Sequence, residues 1–244
     1  MALCPHCQGL LDEAAEICPN CGQPVKVADS PTAAPPPARG SLPLGDYVKT
    51  GWALFKQYPG GFIGFCLVYL AISIVLNSVP WVGWLASGII SSPLLMGNFI
   101  VSAKLLQRQP VQFGDFFSGF TFLLPLLLVS TAASVMVGIG LLLLVVPGIY
   151  LMVGFLFAHN LVVDRCLDFW PALDLSRRTV HPLWFGVFGF FLVLVLINLA
   201  GVLLLGFGLL VSVPLTFCAL TAAYADIFGL SSDYSEKVPR LKQL

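Results

Sequence analysis

Long apolar runs recur six times between positions 61 and 229, and polar segments alternate with short Gly or Pro turns between them. A helix that spans a membrane needs about 20 mainly apolar residues. The pattern therefore predicts an all-α polytopic membrane protein with six spans. We place the spans at about 61–79, 82–106, 119–139, 141–163, 183–204 and 207–229. Pro147-Gly148 marks either the turn between the third and fourth spans or a kink within the fourth.

The charged residues divide the chain into a polar head and an apolar block. Residues 1–58 carry nine of the 24 charged side chains, whereas residues 59–229 carry only ten. Prolines are dense between Pro24 and Pro43, which is typical of an extended tether without a packed core. We therefore predict four regions: a head over 1–25, a Pro-rich linker over 26–44, a six-helix membrane domain over 45–230 and a cytoplasmic tail over 231–244.

Two C-x-x-C pairs stand in the head, with ten residues between them. Two intervening residues let both sulfurs of a pair face one ion, and four thiolates complete the tetrahedral shell of zinc. Because the head is short and has little apolar core, a bound metal ion would supply much of its folding free energy. The pattern predicts one structural zinc ion held by Cys4, Cys7, Cys18 and Cys21. The head resembles the short zinc ribbons at the ends of many bacterial proteins; a metal-free tetrathiol or a redox dithiol is the alternative.

The distribution of Lys and Arg predicts the orientation of the spans. All 12 Lys and Arg residues fall in the N-terminal segment, at or after the ends of the second and fourth spans, or in the C-terminal tail. Cytoplasmic segments carry the excess of Lys and Arg in membrane proteins. The first residues also lack the basic and apolar regions of a signal peptide. We therefore expect a multi-pass protein of the cell inner membrane with both termini in the cytoplasm.

The membrane block has the pattern of three tandem hairpins, each preceded by an amphipathic segment. The second helix of each hairpin contains one proline: Pro93, Pro147 and Pro214. Two of the amphipathic segments have an apolar face that we expect to lie against lipid at the membrane interface. The residues on these faces are Val48, Trp52 and Phe55 in the first segment, and Phe169, Trp170, Leu173 and Leu175 in the third. Arg177 and Arg178 serve there either as an anchor or as a contact for lipid phosphates.

Composition excludes several classes of function. Apolar residues make up 58% of the chain, charged residues 10%, and the mean hydropathy is +0.92. A soluble enzyme and a nucleic-acid binder with a basic face do not have this composition. His159 next to Asn160 is interpreted as a contact between helices, as are Asn98 and Asn198. Cys66 and Cys218 are interpreted as small core residues. No catalytic residue is assigned, and the protein is not expected to be an enzyme.

Part of the membrane block is similar to a loosely defined, uncharacterised group of bacterial multi-span proteins. The similarity covers about residues 110–229 and rests on the run 146–151, on Asp164 at a helix end and on the segment 172–176. The group includes the membrane domain attached to some glycerophosphodiester phosphodiesterases. The resemblance implies a six-span helical module without established chemistry. It implies no hydrolase activity, because the catalytic barrel of those enzymes has no counterpart here.

Two functions remain open from the sequence. The first is a scaffold or regulatory module whose zinc ribbon recruits a cytoplasmic protein partner to the lipid bilayer. The second is an uncoupled transporter or channel for an apolar or lipid-like solute. No nucleic-acid partner is expected, and a homo-oligomer is an option that the sequence leaves open. A cavity inside the helix bundle would favour the second function over the first.

Overall fold

The computed structural model describes residues 2–3, 10–11, 42–78, 82–204 and 206–231. The chain divides into two compact units, over residues 1–36 and 37–244. In the first unit, the two-residue strands β1 (Ala2–Leu3) and β2 (Leu10–Leu11) pair in antiparallel register. The four predicted zinc ligands lie outside the described residues.

The described part of the second unit is helical. Its α-helices are α1 (Leu44–Gln57), α2 (Pro59–Asn77), α3 (Val82–Leu106), α4 (Leu123–Leu143), α5 (Val145–Gly154), α6 (Ala158–Arg165), α7 (Phe169–Val180), α8 (Trp184–Leu203) and α9 (Leu209–Ile227). Two 3-10 helices, Phe113–Phe122 and His181–Leu183, precede α4 and α8. Six stretches of the described residues are long and apolar enough to cross a membrane. The predictions of a helical chain and of six apolar stretches long enough to span a membrane are confirmed.

The third and fourth spans meet at Leu144, not at the Pro-Gly pair. Leu144 has extended backbone angles (φ −157°, ψ 134°) and separates α4 from α5. Pro147 then lies in the first turn of α5, where a missing N–H removes no helical hydrogen bond. Pro147 is thus neither the turn nor a kink. A Cβ atom added to Gly140 would lie 3.0 Å from the Cα atom of Gly148, so both glycines let the helices approach closely.

The second helix of each hairpin forms the centre of the bundle, and the first helix forms its periphery. In the spans built from α3, α5–α6 and α9, 50% to 56% of the residues are buried, against 17% to 22% in the others. The three central helices meet through Phe99, Phe157 and Tyr224, each fully buried. The ring centroids of Phe99 and Tyr224 are 5.4 Å apart, and those of Phe157 and Tyr224 are 6.3 Å apart. The pattern of apolar runs alone does not distinguish these two classes of helix.

Each amphipathic segment packs on the second helix of the preceding hairpin, in cyclic order. The 3-10 helix Phe113–Phe122 lies so close to α3 that a Cβ atom on Gly97 would overlap the carbonyl oxygen of Phe116. Ser176 of α7 donates a hydrogen bond to the carbonyl oxygen of Gly154 at 2.7 Å. Gly51 of α1 packs directly on Ala219 of α9, which belongs to the last hairpin. The amphipathic segment of the first hairpin therefore packs against the last hairpin.

This packing corrects the expected orientation of the amphipathic faces. Leu173 is 2% exposed and Phe55 is 5% exposed, so the prediction that they face lipid is wrong. Trp52 and Trp170 remain exposed, at 43% and 60%. The i, i+4, i+7 pattern identified only part of the buried face of α1 and did not show that another helix of the protein covers it. The buried residues of α1 are Tyr47, Gly51, Leu54 and Phe55.

Candidate functional site

A cavity of about 340 Å³ lies between α3, α4, α6 and α9. Its lining combines apolar side chains with serine hydroxyls and one imidazole. The lining residues are Ser91, Ser92, Leu95, Met96, Ser130, Ala133, Ser134, His159 and Phe217. Ser134 is exposed and Ser91 is half-buried, so the cavity reaches the surface of the bundle. We call it the serine–histidine cavity.

Ser130 connects the polar groups of this cavity. Its Oγ atom lies 3.1 Å from Oγ of Ser92 and 2.9 Å from Nε2 of His159. It also lies 2.7 Å from the carbonyl oxygen of Leu126, one helical turn earlier. Three helices therefore place hydrogen-bonding groups around one hydroxyl, and its single hydrogen satisfies one acceptor at a time. The interpretation of His159 as a contact between helices is confirmed.

The local sequence explains why these groups reach the cavity. Ser92 precedes Pro93, which lies inside α3 and interrupts its ladder of backbone hydrogen bonds. His159 is the second residue of α6, directly after the break that separates α6 from α5. Interrupted helices of this kind commonly build binding sites in membrane proteins, because they free polar groups inside the bundle.

The chemistry that this arrangement supports best is binding. A pocket of 300–1,000 Å³, mainly apolar and with a few convergent polar groups, is typical of small-molecule sites. The distance between Ser130 and His159 also suits a nucleophile and its base. The carbonyl oxygen of Leu126, however, competes for the hydroxyl hydrogen of Ser130. The site is therefore described as a hydrogen-bonding cavity.

A second polar cluster lies where α6 and α9 end. Asp164 is fully buried and accepts hydrogen bonds from the hydroxyl of Tyr224 (2.7 Å) and from Oγ and N of Ser231 (2.6 and 3.2 Å). Arg165 donates to the carbonyl oxygen of Phe228, and Gln107 donates to that of Ser231 (2.8 Å). These bonds fold the segment after α9 back onto the end of α6. We call this cluster the Asp164 clasp.

Two buried asparagines keep polar atoms without a hydrogen-bond partner. They are Oδ1 of Asn98 and both side-chain atoms of Asn160, and each residue is 1% exposed. The expectation that Asn98 bonds a neighbouring helix is therefore wrong for its side-chain oxygen. Asn198 behaves as predicted: it donates to Oγ1 of Thr216 at 2.7 Å and accepts from Ser212 at 3.1 Å.

The predicted metal ligands Cys4, Cys7, Cys18 and Cys21 lie outside the described residues. Within the described part of the chain, no group of three or more His, Cys, Asp or Glu residues is arranged to hold a metal ion. Cys66 and Cys218 are buried, which confirms their interpretation as core residues. Sγ of Cys218 lies 3.3 Å from Oγ of Ser102.

Sequence reasoning missed the two serines that complete the cavity and the two hydroxyls of the Asp164 clasp. A signal for the first pair was present, since Ser92 and Ser130 interrupt apolar spans. For Tyr224 and Ser231 the sequence offers no comparable signal, because their partner Asp164 is more than 50 positions away.

No protein-family model, curated protein sequence or solved structure matches this chain.

Proposed function

We propose that the membrane domain is an uncoupled transporter for an apolar or lipid-like solute that carries a hydrogen-bonding group. The observation behind this proposal is the serine–histidine cavity, with a volume of about 340 Å³. At about 30 Å³ per water, that space corresponds to roughly ten water molecules. It therefore suits a small solute or one segment of a longer lipid.

The lining supports a neutral solute. Leu95, Met96 and Phe217 offer apolar contact, while Ser92, Ser130 and His159 offer hydrogen bonds without a fixed charge. Many ion-coupled transporters bind the coupling ion through carboxylates within the membrane, and the lining of this cavity contains no Asp or Glu. The apolar lining and uncharged polar groups together favour movement of the solute down its own gradient.

Lipid flux in reconstituted vesicles tests this proposal. The full-length chain is placed in vesicles that contain a fluorescent glucosylceramide, an uncharged lipid with hydroxyl groups, and dithionite quenches the label in the outer leaflet. We expect quenching beyond the half that protein-free vesicles show. Ala133→Trp fills the cavity and should return quenching to that half.

The matched control is Thr131→Trp, two positions away on the same helix. Thr131 is exposed and bonds only its own helix, at the carbonyl oxygen of Leu127. This variant should retain wild-type flux. Equal flux from Ala133→Trp and the wild type would exclude the cavity as the path, and flux equal to that of empty vesicles would exclude transport of this lipid.

The spacing of the head cysteines favours a second function, as a scaffold. A zinc ribbon on a Pro-rich tether is suited to recruiting a cytoplasmic protein to the membrane. In this proposal both termini lie in the cytoplasm of a bacterial cell and the spans lie in the inner membrane. Purified protein should contain one zinc ion per chain, held by Cys4, Cys7, Cys18 and Cys21.

Zinc content and partner capture test the scaffold proposal together. Cys4→Ser/Cys7→Ser should lose the zinc ion and the captured partner, because two of four ligands are gone. His6→Asn changes a residue between the same cysteines and should retain both. A zinc-free wild-type chain, or partner capture that survives the cysteine substitutions, would contradict this function.

A further inference from the structure

A basic pocket and an apolar pocket lie side by side, apart from the serine–histidine cavity. The basic pocket, of about 250 Å³, is lined by Tyr150, Arg177, Arg178 and His181. The apolar pocket has the same volume of about 250 Å³. It is lined by Met136, Leu151, Phe155, Trp170, Leu173, Asp174 and Arg177. Arg177 belongs to both linings, so the two pockets adjoin.

The charges of the basic pocket leave it electropositive. The carboxylate of Asp174 accepts hydrogen bonds from Arg177 (3.1 Å) and from Nε of Arg178 (2.7 Å). One negative charge therefore orients two guanidinium groups, and the three side chains retain a net positive charge. Each guanidinium has five N–H donors, most of which remain available for an anion. Planar donors of this kind are well suited to phosphate oxygens.

Aromatic side chains place this pocket at the boundary between polar and apolar surface. The Tyr150 hydroxyl lies 2.8 Å from Nδ1 of His181, and the Trp184 indole stacks on the Tyr150 ring. Tyr and Trp are enriched where the membrane meets water. Phe185 follows at once and is 85% exposed, at the start of the apolar helix α8. A ligand here would meet charge on one side and hydrocarbon on the other.

We propose that this pair of pockets binds an anionic phospholipid. The phosphate occupies the basic pocket, and the beginning of an acyl chain occupies the apolar pocket. The shared residue Arg177 favours a lipid over free phosphate, because the groove continues from the guanidinium onto Leu151, Phe155 and Trp170. Asp174 holds the two arginines in place and leaves their outer donors for the phosphate.

Native mass spectrometry of the full-length chain in detergent micelles tests this site. The protein is titrated with phosphatidylglycerol, with phosphatidylcholine as the zwitterionic comparison. We expect preferential binding of phosphatidylglycerol. Arg177→Gln/Arg178→Gln should weaken it at least about tenfold, because two charge-assisted contacts are lost. The matched control Lys49→Gln/Lys56→Gln removes two exposed charges from α1 and should change the affinity less than about twofold.

Competition separates the two sources of phosphate. Millimolar inorganic phosphate should not displace phosphatidylglycerol, since it cannot fill the apolar pocket. Full displacement would identify a site for soluble phosphate and overturn the lipid assignment. An equal loss of affinity in the lysine control would show that any positive charge on the protein attracts phosphatidylglycerol equally well. That result would also overturn the proposed lipid site.

Two further variants keep the test decisive if the double arginine variant does not fold. Met136→Trp fills the apolar pocket without changing any charge and should weaken phosphatidylglycerol binding. Asp174→Asn keeps a side-chain oxygen that accepts a hydrogen bond from an arginine but removes the negative charge that opposes the phosphate, so it should strengthen phosphatidylglycerol binding. Wild-type affinity in both variants would exclude this site.

Discussion

Asp164 shows how one residue fixes the end of the bundle. Its carboxylate is fully buried and binds the hydroxyls of Tyr224 and Ser231. A buried carboxylate without such donors would be strongly unfavourable, because the charge has left water. The bonds of the Asp164 clasp therefore determine where the chain goes after α9.

Asp164→Asn should lower the free energy of unfolding by about 2–3 kcal/mol, since hydrogen bonds to a charged group contribute roughly that much. Denaturant titration of the purified protein in mixed micelles, followed by circular dichroism, measures the change. Asp168→Asn is the control, because Asp168 is exposed and its side chain makes no capping hydrogen bond. Similar stability of both variants would contradict the role assigned to the Asp164 clasp.

Gly97 is required by a close contact, whereas Gly88 on the same helix is not. A Cβ atom on Gly97 would overlap the carbonyl oxygen of Phe116, but one on Gly88 would have no heavy atom within 4 Å. Gly97→Ala should therefore destabilise the protein by about 1–3 kcal/mol through overpacking. Gly88→Ala should be neutral or stabilising, because Ala favours the helix more than Gly does.

Thermal unfolding of the two glycine variants, measured in the same detergent, checks this prediction. A lower melting temperature for Gly97→Ala alone is the expected result. Equal melting temperatures would mean that the 3-10 helix moves away from α3 at little cost.

At the scale of elements, the amphipathic segments connect neighbouring hairpins. The 3-10 helix Phe113–Phe122 is held on α3 by an ion pair between Nζ of Lys104 and Oδ1 of Asp115, at 2.7 Å. Both side chains are mostly buried, at 15% and 17% exposure. The other carboxylate oxygen of Asp115 accepts the backbone N–H of Gln112, which fixes the start of the 3-10 helix. Lys104 therefore pairs with the carboxylate of Asp115 and also holds the 3-10 helix against α3.

Lys104→Met should lower the free energy of unfolding by about 1–2 kcal/mol, because it leaves a mostly buried carboxylate without its partner. Lys49→Met provides the contrast, since Lys49 and Asp46 are 82% and 70% exposed and 3.8 Å apart. Exposed pairs of that kind contribute little to stability. Denaturant titration of both variants decides the matter: equal losses would show that the buried pair has no special role.

At the scale of the molecule, three hairpins form two concentric layers. The central helices α3, α5–α6 and α9 meet around Phe99, Phe157 and Tyr224, and the first helix of each hairpin lies outside them. The serine–histidine cavity lies between these layers and the proposed lipid site lies at their edge. One arrangement of helices thus provides both an internal space and a boundary site.

The orientation of this assembly stays a prediction that thiol labelling tests. In intact cells, Ser78→Cys should add a thiol that reacts with a membrane-impermeant maleimide, because Ser78 ends the first span and is exposed. Lys56→Cys, at the end of α1, should react only after the membrane is permeabilised. Labelling of Lys56→Cys in intact cells would reverse the predicted topology.

Hydropathy along the chain was enough to predict six apolar stretches of spanning length and to place Pro93 and Pro214 inside helices, as the structure has them. These features are local, because chain length and hydropathy suffice for a helix in a membrane. Three features emerge only from the packing of the helices: which helices form the centre, the inward packing of Leu173, and the meeting of Ser92, Ser130 and His159. Apolar side chains suit lipid and protein interior equally well, so hydropathy cannot distinguish the two surroundings. Whether a helix faces lipid or protein depends on contacts between residues far apart in the chain. The hydropathy pattern of one segment does not show which other segments it contacts.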